Sequence, residues 1–169
     1  KSLADAVVLP AGYTATVLFR LGDPIAAGVP AYVNDGTDAA ATYDRRAGDH
    51  HDAIQYFGLG ANGQFSATSN DRGLLVMNHE AITPPFLHPN GVTTTGTGVN
   101  QMRTVPDEVL KEFYVHGVSV VEVNRVAGGS WSVKQDSSFN RRVHTLTDTI
   151  LAGPAAGSER ATECSDAQS

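Results

Sequence analysis

The 169 residues suffice for one ordinary domain or for part of a larger one, and a composition of 41% hydrophobic with 18% charged residues excludes disorder by low hydrophobicity. Twelve basic against eighteen acidic residues give a formal charge of -6, which argues against a nucleic-acid-binding face and suits the binding of hard cations. A single Cys excludes an intrachain disulfide framework and a multi-Cys zinc cluster, and no apolar run approaches the ~18 residues that span a bilayer.

Seventeen Gly and eight Pro, with many Thr, Val and Asn, read as short strands separated by turns. The start, Lys1-Ser2-Leu3, has neither Met nor a signal-peptide apolar region and reads as processed or excised. Residues 13–20, rich in β-branched and aromatic side chains after Pro10-Ala11-Gly12, predict a first strand. Residues 21–43, with Gly22, Pro24, Gly28, Pro30 and Asn34-Asp35-Gly36, predict a long loop. A second strand is expected over 54–59, a turn over 60–63, and a third strand over 73–78, whose continuous apolar run suggests burial on both faces. Residues 84–104 read as loop.

Residues 106–114 are the best helix candidate: Pro106 fits the first turn, Asp107 and Glu108 complement a helix N-terminus, and Gly117 ends it. Residues 118–123 and 130–134 predict a hairpin across Gly128-Gly129, a last strand is expected over 143–146, and the tail from 155 is small and polar. Short strands without alternating helices favour an all-β architecture such as a propeller, sandwich or barrel.

Two clusters carry the candidate chemistry. Asp49-His50-His51-Asp52 directly precedes a strand, and Asn78-His79-Glu80 directly follows one. Strand ends fix the backbone while exposing side chains, and carboxylates with an Asn carbonyl are hard oxygen ligands suited to calcium or trivalent iron. The bland alternative for the first cluster is a solvated turn with an Asx cap. Asn140-Arg141-Arg142 suits phosphate through planar guanidinium groups, or else holds loops through carboxylates and backbone carbonyls, the reading favoured here. His116 reads as a hydrogen-bonded structural residue, and Cys164 as a soft ligand or an idle thiol.

In order and spacing these segments resemble the PhoX-type alkaline phosphatases. The resemblance runs through Val8-Leu9-Pro10-Ala11-Gly12-Tyr13, Gly22-Asp23-Pro24-Ile25 and His51-Asp52-Ala53-Ile54. It continues through Gly73-Leu74-Leu75-Val76-Met77-Asn78-His79-Glu80, His116-Gly117-Val118-Ser119-Val120-Val121-Glu122-Val123, Trp131-Ser132-Val133, Phe139-Asn140-Arg141-Arg142 and Leu151-Ala152-Gly153-Pro154-Ala155-Ala156-Gly157. It covers residues 1–158 as the N-terminal portion of such a domain and leaves 159–169 as an unmatched polar tail.

The resemblance implies a secreted or periplasmic β-propeller with antiparallel blades, long loops and one short helix, holding calcium and iron and hydrolysing phosphate monoesters. It makes Glu80 the first metal-ligand candidate, with Asn78 and His79 beside it and His51 and Asp52 near the same site. The family's later segments, with a cysteine ligand, further carboxylates and arginines, have no counterpart here, and the surroundings of Cys164 do not match them. A ring of at least ~4 blades needs more strands than this chain offers. The expectation is therefore an incomplete propeller, two or three blades, that joins the remainder of the ring or self-associates. The alternatives are a non-catalytic binding or assembly module and a calcium-dependent propeller lactonase or esterase.

Overall fold

The computed structural model describes residues 5–150 and 152–158. In chain order its strands are β1 (His51–Gly58), β2 (Arg72–His79), β3 (Thr94–Thr95), β4 (Met102–Arg103), β5 (Gly117–Arg125), β6 (Trp131–Val133) and β7 (Arg141–Val143). Two α-helices, α1 (Pro84–Leu87) and α2 (Pro106–Val115), and short 3₁₀ turns complete it. β3 and β4 pair as a separate small hairpin, and the other strands form one antiparallel sheet.

That sheet runs β1-β2-β5, with β6 and β7 sharing the far edge of β5: β6 lies against residues 123–125 and β7 against 118–120. β2 and β5 are central, paired on both edges. β5 is buried over consecutive residues 119–123, whereas in β2 only Gly73, Met77 and His79 are buried, so the expected burial on both faces holds for β5 and not for β2. Val120, Val121 and Val123 are buried, and full burial of such a side chain stabilises by about 1.5–3 kcal/mol. One face gathers Tyr56, Leu75, Val121, Val123, Trp131 and Val133 against Ile25, Ala47, Leu18 and Phe19. Gly73 makes room for the Tyr56 ring, since a Cβ there would sit 2.4 Å from ring carbons.

A second core joins Tyr43, Leu87 and Val115, with Leu21, Ile82 and Tyr114 at its edge. It ties α2 to the 3₁₀ turn Ala40–Arg45. The loop over 21–43 is held by backbone pairing: the amide of Ile25 donates to Arg45 and that of Ala47 to Asp23.

The helix, the hairpin turn at Gly128-Gly129 and the strands β1, β2 and β5 stand where the residues place them, with β1 beginning three residues earlier than expected. Several expectations are corrected, and the one short helix expected is two. Residues 13–20 form no strand. Leu18 and Phe19 turn onto the core, but Tyr13 and Val17 are 71% and 72% exposed, because β propensity describes a fit to a neighbouring strand and the segment has no such neighbour. The last strand is β7 at 141–143 rather than 143–146, since Arg142 anchors it. Residues 84–104 are not all loop but contain α1 and the β3–β4 hairpin. The described residues form one main sheet rather than two or three blades, and the architecture is mostly β with few helices. Cys164, the tail 159–169 and Leu151 lie outside the described residues.

Candidate functional site

Antiparallel pairing brings the start of β1 and the end of β2 to the same end of the sheet. His51 stands opposite His79, His79 opposite Gly117, and Val118 opposite Val143. Five of the six histidines (His50, His51, His79, His116 and His144) therefore collect here, far apart in sequence but neighbours in register. The register slips between His51 and Ile54, so Asp52 and Ala53 bulge from the β1 edge. Such bulges re-aim side chains beside functional sites.

His79 is 1% exposed. Its Nε2 lies 2.6 Å from the buried Ser119 hydroxyl and 3.4 Å from the Gly48 amide. An amide can only donate, so Nε2 accepts and the ring proton sits on Nδ1, which is buried without a partner. Burial, then the Arg142 charge and His51, push the His79 pKa down to about 3, and the ring is neutral. His51 points its Nε2 at the Gly48 carbonyl, 2.9 Å away. A carbonyl only accepts, so the neutral His51 ring keeps its lone pair on Nδ1. The two rings meet edge to face at 4.9 Å.

Gly48 thus touches both histidines through its backbone alone. A Cβ would lie 2.1 Å from the Val115 carbonyl and 2.6 Å from the His79 ring. The sequence carried a signal for this, a glycine immediately before the Asp-His-His-Asp run, but reading motifs by side chain passed it over. Ser119 was hidden for another reason: its partner lies forty residues away in sequence.

Around this pair the other candidates divide. The Asp49 carboxylate accepts from the amides of His50 (2.9 Å) and Thr83 (2.7 Å), so it acts as the turn cap that the bland reading described. His50 adopts φ 46°, in the left-handed region, and its Nε2 lies 2.9 Å from the Thr83 hydroxyl. Glu80 donates its amide to the His50 carbonyl at 3.3 Å while its side chain is exposed. Asp52 is exposed, Asn78 half-buried, and among the described residues neither the Asp52 nor the Glu80 carboxylate has an ion-pair or hydrogen-bond partner.

The sheet end is held from behind by Arg142, 7% exposed, which donates to the carbonyls of Val118, Arg46, Tyr114, Val115 and His116. Two of these are orphan acceptors at the C-terminus of α2, where a cation also complements the helix dipole. Burial lowers the Arg142 pKa to about 10, and the group stays charged at neutral pH. Asn140 accepts from the Glu122 amide and donates to the carbonyls of Ile25 and Lys134. Arg141, exposed, donates to the carbonyl of Phe139. The loop-holding reading of Asn140-Arg141-Arg142 therefore describes the structure, through carbonyls and without carboxylates. His116 is half-buried, with Nδ1 2.9 Å from the Glu112 carbonyl.

As to metals, Asp52, Glu80 and Asn78 offer hard oxygens and His51 a nitrogen lone pair. Yet among the described residues no group of three His, Cys, Asp or Glu side chains is placed to hold an ion. His79 stands beside them with its one lone pair already engaged by Ser119 and Gly48. The described residues therefore form no metal cage of their own.

The model of the family described as alkaline phosphatase PhoX matches residues 1–169. Among solved structures, Pseudomonas fluorescens PhoX in complex with vanadate, a transition state analogue, is similar at 32% identity and a TM-score of 0.73. That match covers 90% of this chain and 23% of the Pseudomonas chain, so this sequence spans under a quarter of that protein's length. No curated protein matches.

Proposed function

This chain belongs to the alkaline phosphatase PhoX family, and from that premise we propose that it takes part in hydrolysing phosphate monoesters outside the cytoplasm, as one blade-like sheet of a propeller. The observation that carries the reading is the family match over residues 1–169. The two unmatched carboxylates at the sheet end agree with it. Exposed acids that pair with no protein group keep their oxygens free for a cation, a property that Asp52 and Glu80 share with the exposed Asp107, Asp136 and Asp148.

In this reading Glu80 is the first metal ligand, on a strand end fixed by the His50 carbonyl. Asp52 and Asn78 flank it, and His51 presents Nδ1 because Gly48 holds its other nitrogen. His79 lies on the other side of the strand from Asn78 and Glu80, where its ring packs against His51 and receives Ser119. The calcium and iron that the resemblance implies would supply charge neutralisation at the phosphate oxygens. The described residues do not by themselves enclose such ions. What the chain itself does is fix the ligand positions: the sheet sets strand spacing, Gly48 sets ring orientation, and Arg142 braces both from beneath.

The test is hydrolysis of p-nitrophenyl phosphate by the purified chain at alkaline pH with calcium, repeated after chelation and with Glu80→Gln. Chelator-sensitive turnover lost in the variant supports the reading. Turnover indifferent to chelation overturns the cation role. A second reading, a non-catalytic assembly module, is favoured by the incomplete ligand set among the described residues. Calcium binding without turnover identifies it.

No helix among the described residues is long and apolar enough to cross a membrane.

A further inference from the structure

Beside the sheet end lies a cavity of about 350 Å³ lined by Arg20, Leu21, Tyr32, Asn34, Asp49 and Phe86. It adjoins the candidate site directly. Asp49 belongs to the loop that opens β1, and the neighbouring His50 bonds to both Thr83 and the Glu80 amide.

Three features mark it as a binding site. Phe86 is 56% exposed, on a helix whose next residue, Leu87, is fully buried, so its side chain stands on a fixed support. Tyr32 faces it, its hydroxyl within 3.5 Å of the Phe86 carbonyl. The non-glycine residues in the left-handed region, Asn34 (φ 61°) and His50 (φ 46°), stand at this cavity and at its border. Asn and His are among the residues that adopt this region most readily, so both positions are turns that fix the cavity wall.

We propose that this cavity binds the flat aromatic part of a phosphate ester, a phenyl ring or a nucleobase, while the phosphate lies toward Glu80. The size suits one ring system, since ligand pockets begin near ~300 Å³. Phe86 and Tyr32 supply the stacking faces. The Asn34 amide offers both a donor and an acceptor to a ring edge, and the Asp49 oxygens retain lone pairs beyond their two backbone bonds. Arg20, forked onto Asp23, closes the rim. The assignment of the ring as the leaving group rests on the phosphatase reading, whereas binding of the ring itself does not.

The experiment follows backbone amide shifts of the full chain by NMR during titration with adenosine, phenyl phosphate and glycerol 2-phosphate. The expected result is that adenosine and phenyl phosphate shift Asn34, Asp49 and Phe86, and that glycerol 2-phosphate leaves Asn34 and Phe86 in place. Phe86→Ala, at an exposed position where folding is retained, weakens ring binding about tenfold. The proposal is overturned if neither ring compound moves these amides, or if Phe86→Ala leaves the affinity unchanged. Glycerol 2-phosphate turnover is followed in parallel. Turnover without ring binding removes the pocket and keeps the phosphatase reading. Ring binding with no turnover of any ester removes the leaving-group assignment and keeps the pocket.

Discussion

Two charged regions of this molecule, one along α2 and one at the sheet end, are built on opposite rules. Between α2 and the loop over 36–46, the buried charged side chains Asp38, Arg46, Lys111 and Glu112 all have partners. Asp38 pairs with Arg46 at 3.1 Å with both side chains nearly inaccessible, and Glu112 takes both Arg103 and His88. Glu108 takes Arg103 and two bonds from Thr93, and the Lys111 ammonium donates to the carbonyls of Gly36 and Leu87. At the sheet end, Asp52 and Glu80 face solvent without a partner among the described residues, while the buried polar group beneath them, His79, is neutral. Matched charge consumes its own ligand capacity and holds structure. Unmatched charge on a rigid strand end keeps that capacity for something that arrives from outside.

The sharpest way to break this contrast is to remove one member of a matched pair. Asp38→Ala leaves the Arg46 guanidinium buried with only the Thr42 hydroxyl and the Gly22 carbonyl. It should cost about 3–5 kcal/mol in urea denaturation, a large share of an ordinary domain's stability. Arg142→Met should cost at least about 3 kcal/mol, because it strips the donor from several buried carbonyls at once.

Gly48→Ala tests the link between the regions, since its Cβ would meet both Val115 and the His79 ring. A loss of about 1–3 kcal/mol is expected, together with altered ring resonances for His51 and His79 by NMR. Unchanged resonances would contradict the role given to Gly48.

Acid separates the regions further. A histidine titrates near 6.5 in the unfolded chain and His79 near 3 in the folded one, so below 6.5 the unfolded state binds a proton that the folded state rejects. The His79 contribution is complete above that pH and falls by up to about 1.4 kcal/mol per pH unit below it. The carboxylates under α2 behave differently. Bonds from Thr93 hold Glu108 down to about 2. Burial pulls Glu112 upward, but the bonds from Arg103 and His88 outweigh it and the net shift is downward. Their contribution is present above 4.5 and is lost as the pH falls through the depressed values. Hydrogen exchange between pH 7 and 5, corrected for intrinsic rates, should therefore show protection falling at Met77 and Ser119 before Val109 and Val115.

How much of this the residues announced depends on range. β2, β5 and α2 follow from local pattern: an apolar run, a Val-rich run, and Pro-Asp-Glu at a helix start. Residues 13–20 misled because propensity is local and pairing is not. The strand-end clusters were visible, as was the carbonyl-holding role of Arg142. The partners that define their roles were not, because Ser119, Gly48 and Asp38 act through contacts made only when distant segments meet. Gly48 in particular acts through the side chain it lacks.

The smallest expected effect on stability is also the most direct test of the central claim, that the sheet-end acids serve an external cation. Calcium binding and chelator-sensitive p-nitrophenyl phosphate hydrolysis are measured for the chain and for Glu80→Gln, with urea midpoints alongside. The account predicts stability unchanged within about 0.5 kcal/mol, as for an unpaired surface residue, with calcium affinity and any turnover reduced at least tenfold. A variant that binds calcium and turns over like the parent chain, or that unfolds much earlier, would contradict it.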